Sequence, residues 1–159
     1  MGECHARSMK AMMTLGASLL LAFALQAAAQ DHGEWSAANS TAKTITGDIS
    51  ISDSRLAINL LSFPLAPIRK LEPAEVSAVF VAEGSRGQGG NLYRLSISAA
   101  QRFVHKNSLC GSEVTEWMVT NVSGKSLQLA FFSGSTMPVF TPEAMSNSTD
   151  LCGTFSYVR

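Results

Sequence analysis

Residues that build catalytic and metal sites are scarce in this sequence. It contains three histidines and three cysteines among 159 residues, and no two cysteines have the C-x-x-C spacing typical of a zinc site. His105 has no serine or carboxylate at a spacing that would make it a catalytic base, and the sequence assigns no partner to Arg94. We therefore expect no metal, no cofactor and no enzyme activity. Arg94 and His105 are weak candidates for a site assembled from residues distant in sequence.

An excess of charge of either sign is also lacking. The chain carries 12 basic and 12 acidic residues, so it offers no basic stripe with which to hold a phosphate backbone. Two segments imitate a phosphate-binding loop, but no Gly-Lys-Ser/Thr follows residues 83–91, and Val119 replaces the first glycine required before Gly124-Lys125-Ser126. We expect both segments to be hairpin loops and the protein to have no nucleic-acid partner.

The sequence has one long hydrophobic run, and it lies near the beginning. Ala11 to Leu25 is apolar, Arg7 and Lys10 precede it, and three alanines at 27–29 give the small-residue pattern of a signal peptidase site. The run is shorter than the roughly 20 residues that a membrane-spanning helix needs. We predict a cleaved signal peptide over residues 1–29 and a mature chain that begins near Gln30. The protein is then periplasmic or secreted, with no membrane insertion after cleavage.

Two cysteines remain after this cleavage, because Cys4 leaves with the signal peptide. Cys110 and Cys152 both stand in the context Leu-Cys-Gly, and an exported protein reaches a compartment that permits disulfides. We predict a Cys110–Cys152 bond, with two unconnected buried thiols as the alternative. In a eukaryotic secretory route, three Asn-X-Ser/Thr patterns would also be relevant as N-glycosylation sites, those at Asn39, Asn121 and Asn147.

Apolar and polar residues alternate along much of the mature chain, which is typical of strands with one buried face. We expect residues 30–43 to form a loosely ordered segment before a β-domain over residues 44–159. The predicted fold class is all-β, a single small antiparallel β-barrel or sandwich of about eight strands with one disulfide. Strands or extended segments are expected at 44–52, 56–60, 63–67 (an edge or crossover), 74–81 (with a helical turn as the alternative), 92–97, 116–119, 127–132 (central), 137–140 and 151–158.

The segments LYRLSI, FVHKNSLCG, EWMV, LQLAFFSG and LCGTFSYVR, between Leu92 and Arg159, resemble a family of short exported proteins of Gram-negative bacteria to which no function is assigned. That resemblance implies a periplasmic or secreted β-domain and brings no catalytic residues with it. A second resemblance is to the periplasmic inhibitors of c-type lysozyme, small β-barrels whose inhibitory loop carries a Ser-Gly motif. Ser133-Gly134 is similar to that motif, although Ser135-Thr136-Met137 stands where the family has an aromatic residue. The likeness makes Ser133, Gly134, Ser135 and Thr136 a candidate binding loop.

These observations favour an exported, non-enzymatic binding or inhibitor-like domain whose loops contact a protein or small-molecule ligand in the cell envelope. Two alternatives remain. One is a small-molecule carrier that uses the interior of a barrel, and the other is an enzyme whose site the sequence does not reveal. A cavity of several hundred Å³ would favour the carrier, and a polar cleft with His105 beside a carboxylate would favour the enzyme.

Overall fold

The computed structural model describes residues 30–80 and 89–159. The predicted signal peptide and most of the glycine-rich stretch at 83–91 lie outside these residues. The described residues form nine strands, three α-helices and a 3-10 turn at Val104–Lys106. In chain order the main elements are β1 (Gly33–Ala37), α1 (Ser40–Ile45), β2 (Ile49–Ile51), β3 (Arg55–Ile58), β4 (Leu61–Pro64), β5 (Ala66–Lys70), α2 (Pro73–Val79), β6 (Asn91–Ile97), β7 (Thr115–Ser123), β8 (Ser126–Ser133), α3 (Pro142–Ser146) and β9 (Leu151–Val158).

All nine strands belong to one antiparallel sheet, in the order β4-β3-β2-β1-β9-β8-β7-β6-β5. The sheet is open, because β4 and β5 are its two edges; only Leu65 separates them in sequence. Each edge strand contains a proline, Pro64 or Pro67, which has no N–H to offer to a further strand. The predicted all-β antiparallel class and the edge at residues 63–67 are confirmed. The strand count is nine, and the sheet does not close into a barrel.

Strand β8 shows how the sheet buries both of its faces. Leu127, Leu129 and Phe131 belong to a core shared with β1 to β4, whereas Ala130 and Phe132 belong to a second core beneath α2 and α3. All five side chains are fully buried, and burying a large apolar side chain contributes about 1.5–3 kcal/mol. The prediction of a central strand covered on both faces is confirmed.

The N-terminal segment differs from the expected loosely ordered lead-in at 30–43. Strand β1 pairs with β2 through Gly33–Trp35 and with β9 through Ser36–Ala37, so it joins the two halves of the sheet. Trp35 is buried, and its indole N–H donates to the Asp31 carbonyl oxygen at 2.8 Å. Helix α1 follows, because the Asn39 side chain caps it by accepting from Ala42 N. The segment is therefore part of the sheet and its core.

Residues 74–81 do not form the expected strand; most of the segment is the helix α2, as in the alternative prediction. Pro73 occupies the first turn, where a missing N–H costs nothing. The Glu72 and Glu75 side chains form a reciprocal capping box at the same end. Val76 and Val79, three positions apart, then face the second core. The helical spacing of the two valines and the capping residues favoured a helix more than the intrinsic preference of valine favoured a strand.

The predicted disulfide is present between Cys110 and Cys152, whose Cα atoms are 4.9 Å apart. Cys152 lies in β9 and Cys110 lies in the connection from β6 to β7. The bond therefore ties a long loop to the strand that ends the chain. Among residues 30–80 and 89–159, no helix has the length and hydropathy needed to span a membrane.

Candidate functional site

Two of the predicted candidates, Arg94 and the loop at residues 133–136, lie together at one end of the sheet. Arg94 on β6 pairs in register with Trp117 on β7, and Trp117 pairs with Phe132 on β8. These pairs place three side chains in a row on the face that α2 and α3 partly cover. The row ends at Phe132, next to Ser133, where β8 ends and the predicted loop begins.

The Arg94 guanidinium is fixed by three contacts. It donates from Nη2 to Glu116 Oε2 at 2.7 Å and from Nη1 to the Ser135 carbonyl oxygen at 3.3 Å. Its central carbon lies 4.3 Å from the centre of the Trp117 ring, which is a cation–π arrangement. One third of the Arg94 side chain is exposed, so the ion pair itself contributes no more than about 1 kcal/mol. We refer to Arg94, Glu116 and Trp117 as the loop clamp.

Trp117 of the loop clamp also contacts the loop directly. Its indole N–H donates a hydrogen bond to the Gly134 carbonyl oxygen, at 2.9 Å. Gly134 has a φ of 85°, a conformation that costs a side-chain-bearing residue free energy. A Cβ at this position would also lie 3.3 Å from the Asp150 carboxylate. The clamp therefore holds the loop in a conformation that suits glycine at this position.

The structure narrows the predicted binding loop. Ser133 is buried, and its backbone N–H donates to the Asp150 carbonyl oxygen at 2.8 Å. Its hydroxyl is turned towards the same carbonyl, at 3.4 Å. Gly134, Ser135 and Thr136 are exposed. The groups of Ser133 thus attach the loop to the segment just before β9, and residues 134–136 are the exposed part of the predicted loop.

An apolar groove of about 520 Å³ adjoins the exposed loop. We use this name for the depression formed by the segment 137–142 together with Ala74 and the ion pair of Arg69 and Glu75. Met137 and Val139 expose 43% and 63% of their surface there, although the segment is otherwise fixed. Phe140 is buried and packs edge-on against Phe132, with ring centres 5.9 Å apart. The exposed apolar side chains are thus held in place by a buried neighbour.

A charged pair borders this groove. Arg69 binds both carboxylate oxygens of Glu75, at 2.8 and 2.7 Å. The Arg69 guanidinium, aided by the backbone N–H of Glu72, lowers the pKa of the Glu75 carboxyl to about 2. The Arg69 guanidinium also lies 6.0 Å from the centre of the Phe140 ring. Both side chains of this pair are therefore ionised at ordinary pH, and their charges cancel. The exposed apolar side chains remain the main feature of the groove.

His105, the remaining weak candidate, is not brought to this cluster by any contact within the described residues. It is exposed, with a φ of 53°, on the 3-10 turn that packs against α1. The described ion pairs of histidine involve His32, which lies near Asp31 and Asp53. In the described part of the chain, His105 therefore has no carboxylate partner that would support an acid–base role.

Sequence reasoning missed the roles of Glu116, Trp117 and Arg69. Their roles depend on strand register and on a loop distant in sequence. One signal was visible, since a long connection that includes Met137, Val139 and Phe140 separates residues 127–132 from residues 151–158.

The cluster combines an exposed loop, Gly134–Thr136, with an apolar depression and an ion pair whose charges cancel. Comparisons with protein-family models, with curated proteins and with solved structures found no match for this chain.

Proposed function

We propose that the domain is an exported, non-enzymatic binding protein, and that its partner is a protein that places an apolar side chain in the groove. The exposed loop Gly134–Thr136 would contact the backbone of the partner beside it. One observation carries this proposal. The connection between β8 and β9 presents a fixed, exposed apolar surface that the topology of the sheet does not require.

Strands β8 and β9 are antiparallel neighbours, and such strands can be joined by a turn of about two residues. Here the chain between Ser133 and Leu151 instead runs out over the sheet face and forms α3 before it returns. Long ordered connections in compact domains are usually functional.

The exposed apolar side chains support a protein partner. Isolated exposed apolar residues are ordinary, but contiguous ones beside polar groups mark interaction sites. Met137 and Val139 lie two residues apart on one fixed segment. The prolines in β4 and β5 oppose the addition of a further strand at the sheet edge, which leaves the groove as the better contact surface.

The packing of the main core opposes the carrier alternative. Phe131 and Phe155 are buried there and meet edge to face, with ring centres 5.3 Å apart. Tyr157 and Met118 are fully buried in the same core. A bound small molecule would have to displace such side chains, whereas the groove lies on the opposite face of the sheet.

Retention of an envelope protein tests the proposal. The full chain is exported in a Gram-negative host, and the purified domain is immobilised and exposed to periplasmic extract. Val139→Asp places a charge in the groove, and Val158→Asp places the same charge on another exposed valine, at the end of β9. We expect the same protein to be retained by the unmodified domain and by Val158→Asp, but not by Val139→Asp. Equal retention by all three, or by none, would refute the proposed surface.

The inhibitor version has its own assay, in which the domain is added in molar excess to a c-type lysozyme. Inhibition that Val139→Asp abolishes would identify lysozyme as the partner. Unchanged lysozyme activity would remove that version. The burial of Ser133 within its own domain favours this second outcome.

A further inference from the structure

Asp31 is a buried carboxylate that neither the sequence pattern nor the proposed function explains. It lies just before β1 and has no solvent-exposed surface. Its Oδ2 accepts hydrogen bonds from Tyr93 Oη at 2.9 Å and Thr120 Oγ1 at 2.5 Å, and from Asn91 Nδ2 at 3.0 Å. Burial, together with the Asp31 carboxylate, raises the pKa of Tyr93, so its phenol remains a donor. Strands β6 and β7 thus hold one oxygen of Asp31 firmly.

The second oxygen of this carboxylate is free of such partners. Among the described residues, Asp31 Oδ1 is buried and accepts no hydrogen bond. The nearest histidine nitrogen, His32 Nε2, is 3.9 Å away, beyond hydrogen-bonding distance. The other ring nitrogen of His32 is 3.3 Å from Asp53. A buried anion with an unused acceptor is costly unless a cationic donor reaches it.

We propose that Asp31 Oδ1 is a binding site for an ammonium group, and that this ammonium is the α-amino group that cleavage after Ala29 gives to Gln30. The inference rests on the predicted signal peptide and is independent of the groove. The backbone nitrogen of Gln30 is one peptide unit from Asp31, so it lies within about 8 Å of the carboxylate in any conformation. The indole N–H of Trp35 holds the Asp31 carbonyl oxygen at 2.8 Å, which fixes the backbone beside the new terminus.

Cleavage changes the chemistry of this nitrogen. In the uncleaved chain it belongs to a neutral amide, and after cleavage it is a cation at pH 7. The precursor therefore lacks the ion pair that the mature chain forms. It also lacks the Cys110–Cys152 bond until it reaches an oxidising compartment. Both additions stabilise the domain only after export, when folding no longer competes with translocation.

A displaced terminus tests this inference. The full chain is exported and processed in a Gram-negative host, in a Gln30→Ser background that prevents loss of the amine by cyclisation. A matched chain carries Gly-Ser inserted between Ala29 and residue 30, which moves the new amine about 7 Å along the chain. We expect the insertion to lower the melting temperature by roughly 3–8 °C. In an Asp31→Asn background the insertion should have no effect.

Because Asp31→Asn can itself prevent folding, a second measurement uses the unsubstituted carboxylate. We expect the α-amine of the folded protein to react with an acylating reagent about tenfold more slowly than after unfolding in urea, since the carboxylate favours the charged form. The amine of the insertion variant should react at the unfolded rate. Equal melting temperatures with equal acylation rates would overturn the inference. So would a mature terminus elsewhere, or a loss of stability that appears with His32→Gln and not with the insertion.

Discussion

The disulfide offers the most direct test of how this fold is stabilised. Cys110 and Cys152 are 42 positions apart, and closing a loop of that length stabilises a protein by about 4 kcal/mol in the chain-entropy model. Both cysteines are only partly buried against the main core, so replacing them with alanine removes little packing. Domains of this size have a total stability of about 5–15 kcal/mol. Loss of the bond should therefore remove a large fraction of the stability.

Equilibrium unfolding in urea measures this loss. We expect the reduced protein and the Cys110→Ala/Cys152→Ala variant to have coincident transitions, about 4 kcal/mol less stable than the oxidised protein. Their melting temperatures should fall by roughly 8–16 °C. The slope of free energy against urea should rise, because the unfolded chain without the bond exposes more surface. Reductant added to the double variant is the control and should change nothing. A difference below about 1 kcal/mol, with both thiols shown to be free by titration, would refute the reasoning.

Three further predictions concern single positions. Gly90→Ala should cost about 3 kcal/mol or more of unfolding free energy in urea, because a Cβ there would collide with the Thr120 carbonyl oxygen; an unchanged midpoint would contradict this. The folded state depresses the pKa of Glu75 to about 2, so the stability that it adds relative to Glu75→Gln should be present above about pH 4.3 and disappear as the pH falls to 2, with at most ~1 kcal/mol at stake. Expression in a eukaryotic secretory host should place a glycan on the exposed Asn147 and not on the buried Asn121, and the masses of the two peptides after glycosidase and protease digestion show which asparagine was modified.

The sequence predicted the C-terminal strands well because their signals are redundant. The segment now seen as β8 is apolar on both faces and is bounded by Gly124 and Gly134, so its pattern and its turns agree. The Cys110–Cys152 bond followed from compartment and context alone. Neither the strand pattern nor the cysteine context depends on which strands are neighbours.

Helix α1 was missed, and α2 was only the alternative to a strand, because short amphipathic helices give a weak periodic signal. Their caps were nevertheless readable. Asn39 precedes a Ser-Thr-Ala segment, and Pro73 stands within the Glu72/Glu75 capping box. In both segments, the capping residues were better evidence for a helix than the apolar residues within the helix. Attention to the residues before the apolar pattern would have identified both helices.

The candidate site was less predictable because its contacts join residues that are far apart in sequence. Arg94 and the Ser135 carbonyl oxygen are 41 positions apart, and Asp31 and the Thr120 hydroxyl are 89 apart. Such pairs depend on strand register, which a single-sequence pattern leaves open between strands distant in the chain. The alternation of apolar and polar residues along the strand could place Arg94 on the more solvent-exposed face. It could not identify the residues that Arg94 contacts.

The position of the disulfide connects stability to the proposed binding surface. The long β6–β7 and β8–β9 connections leave the same end of the sheet, since Thr115 at the start of β7 pairs with Ser133 at the end of β8. The bond joins the first connection, through Cys110, to Cys152 in β9, two residues beyond Asp150. The Asp150 carbonyl oxygen in turn accepts the N–H of Ser133, where the exposed loop begins. A contact surface on loops binds well only when those loops are held before the partner arrives, so the bond would support the proposed binding surface as well as the fold.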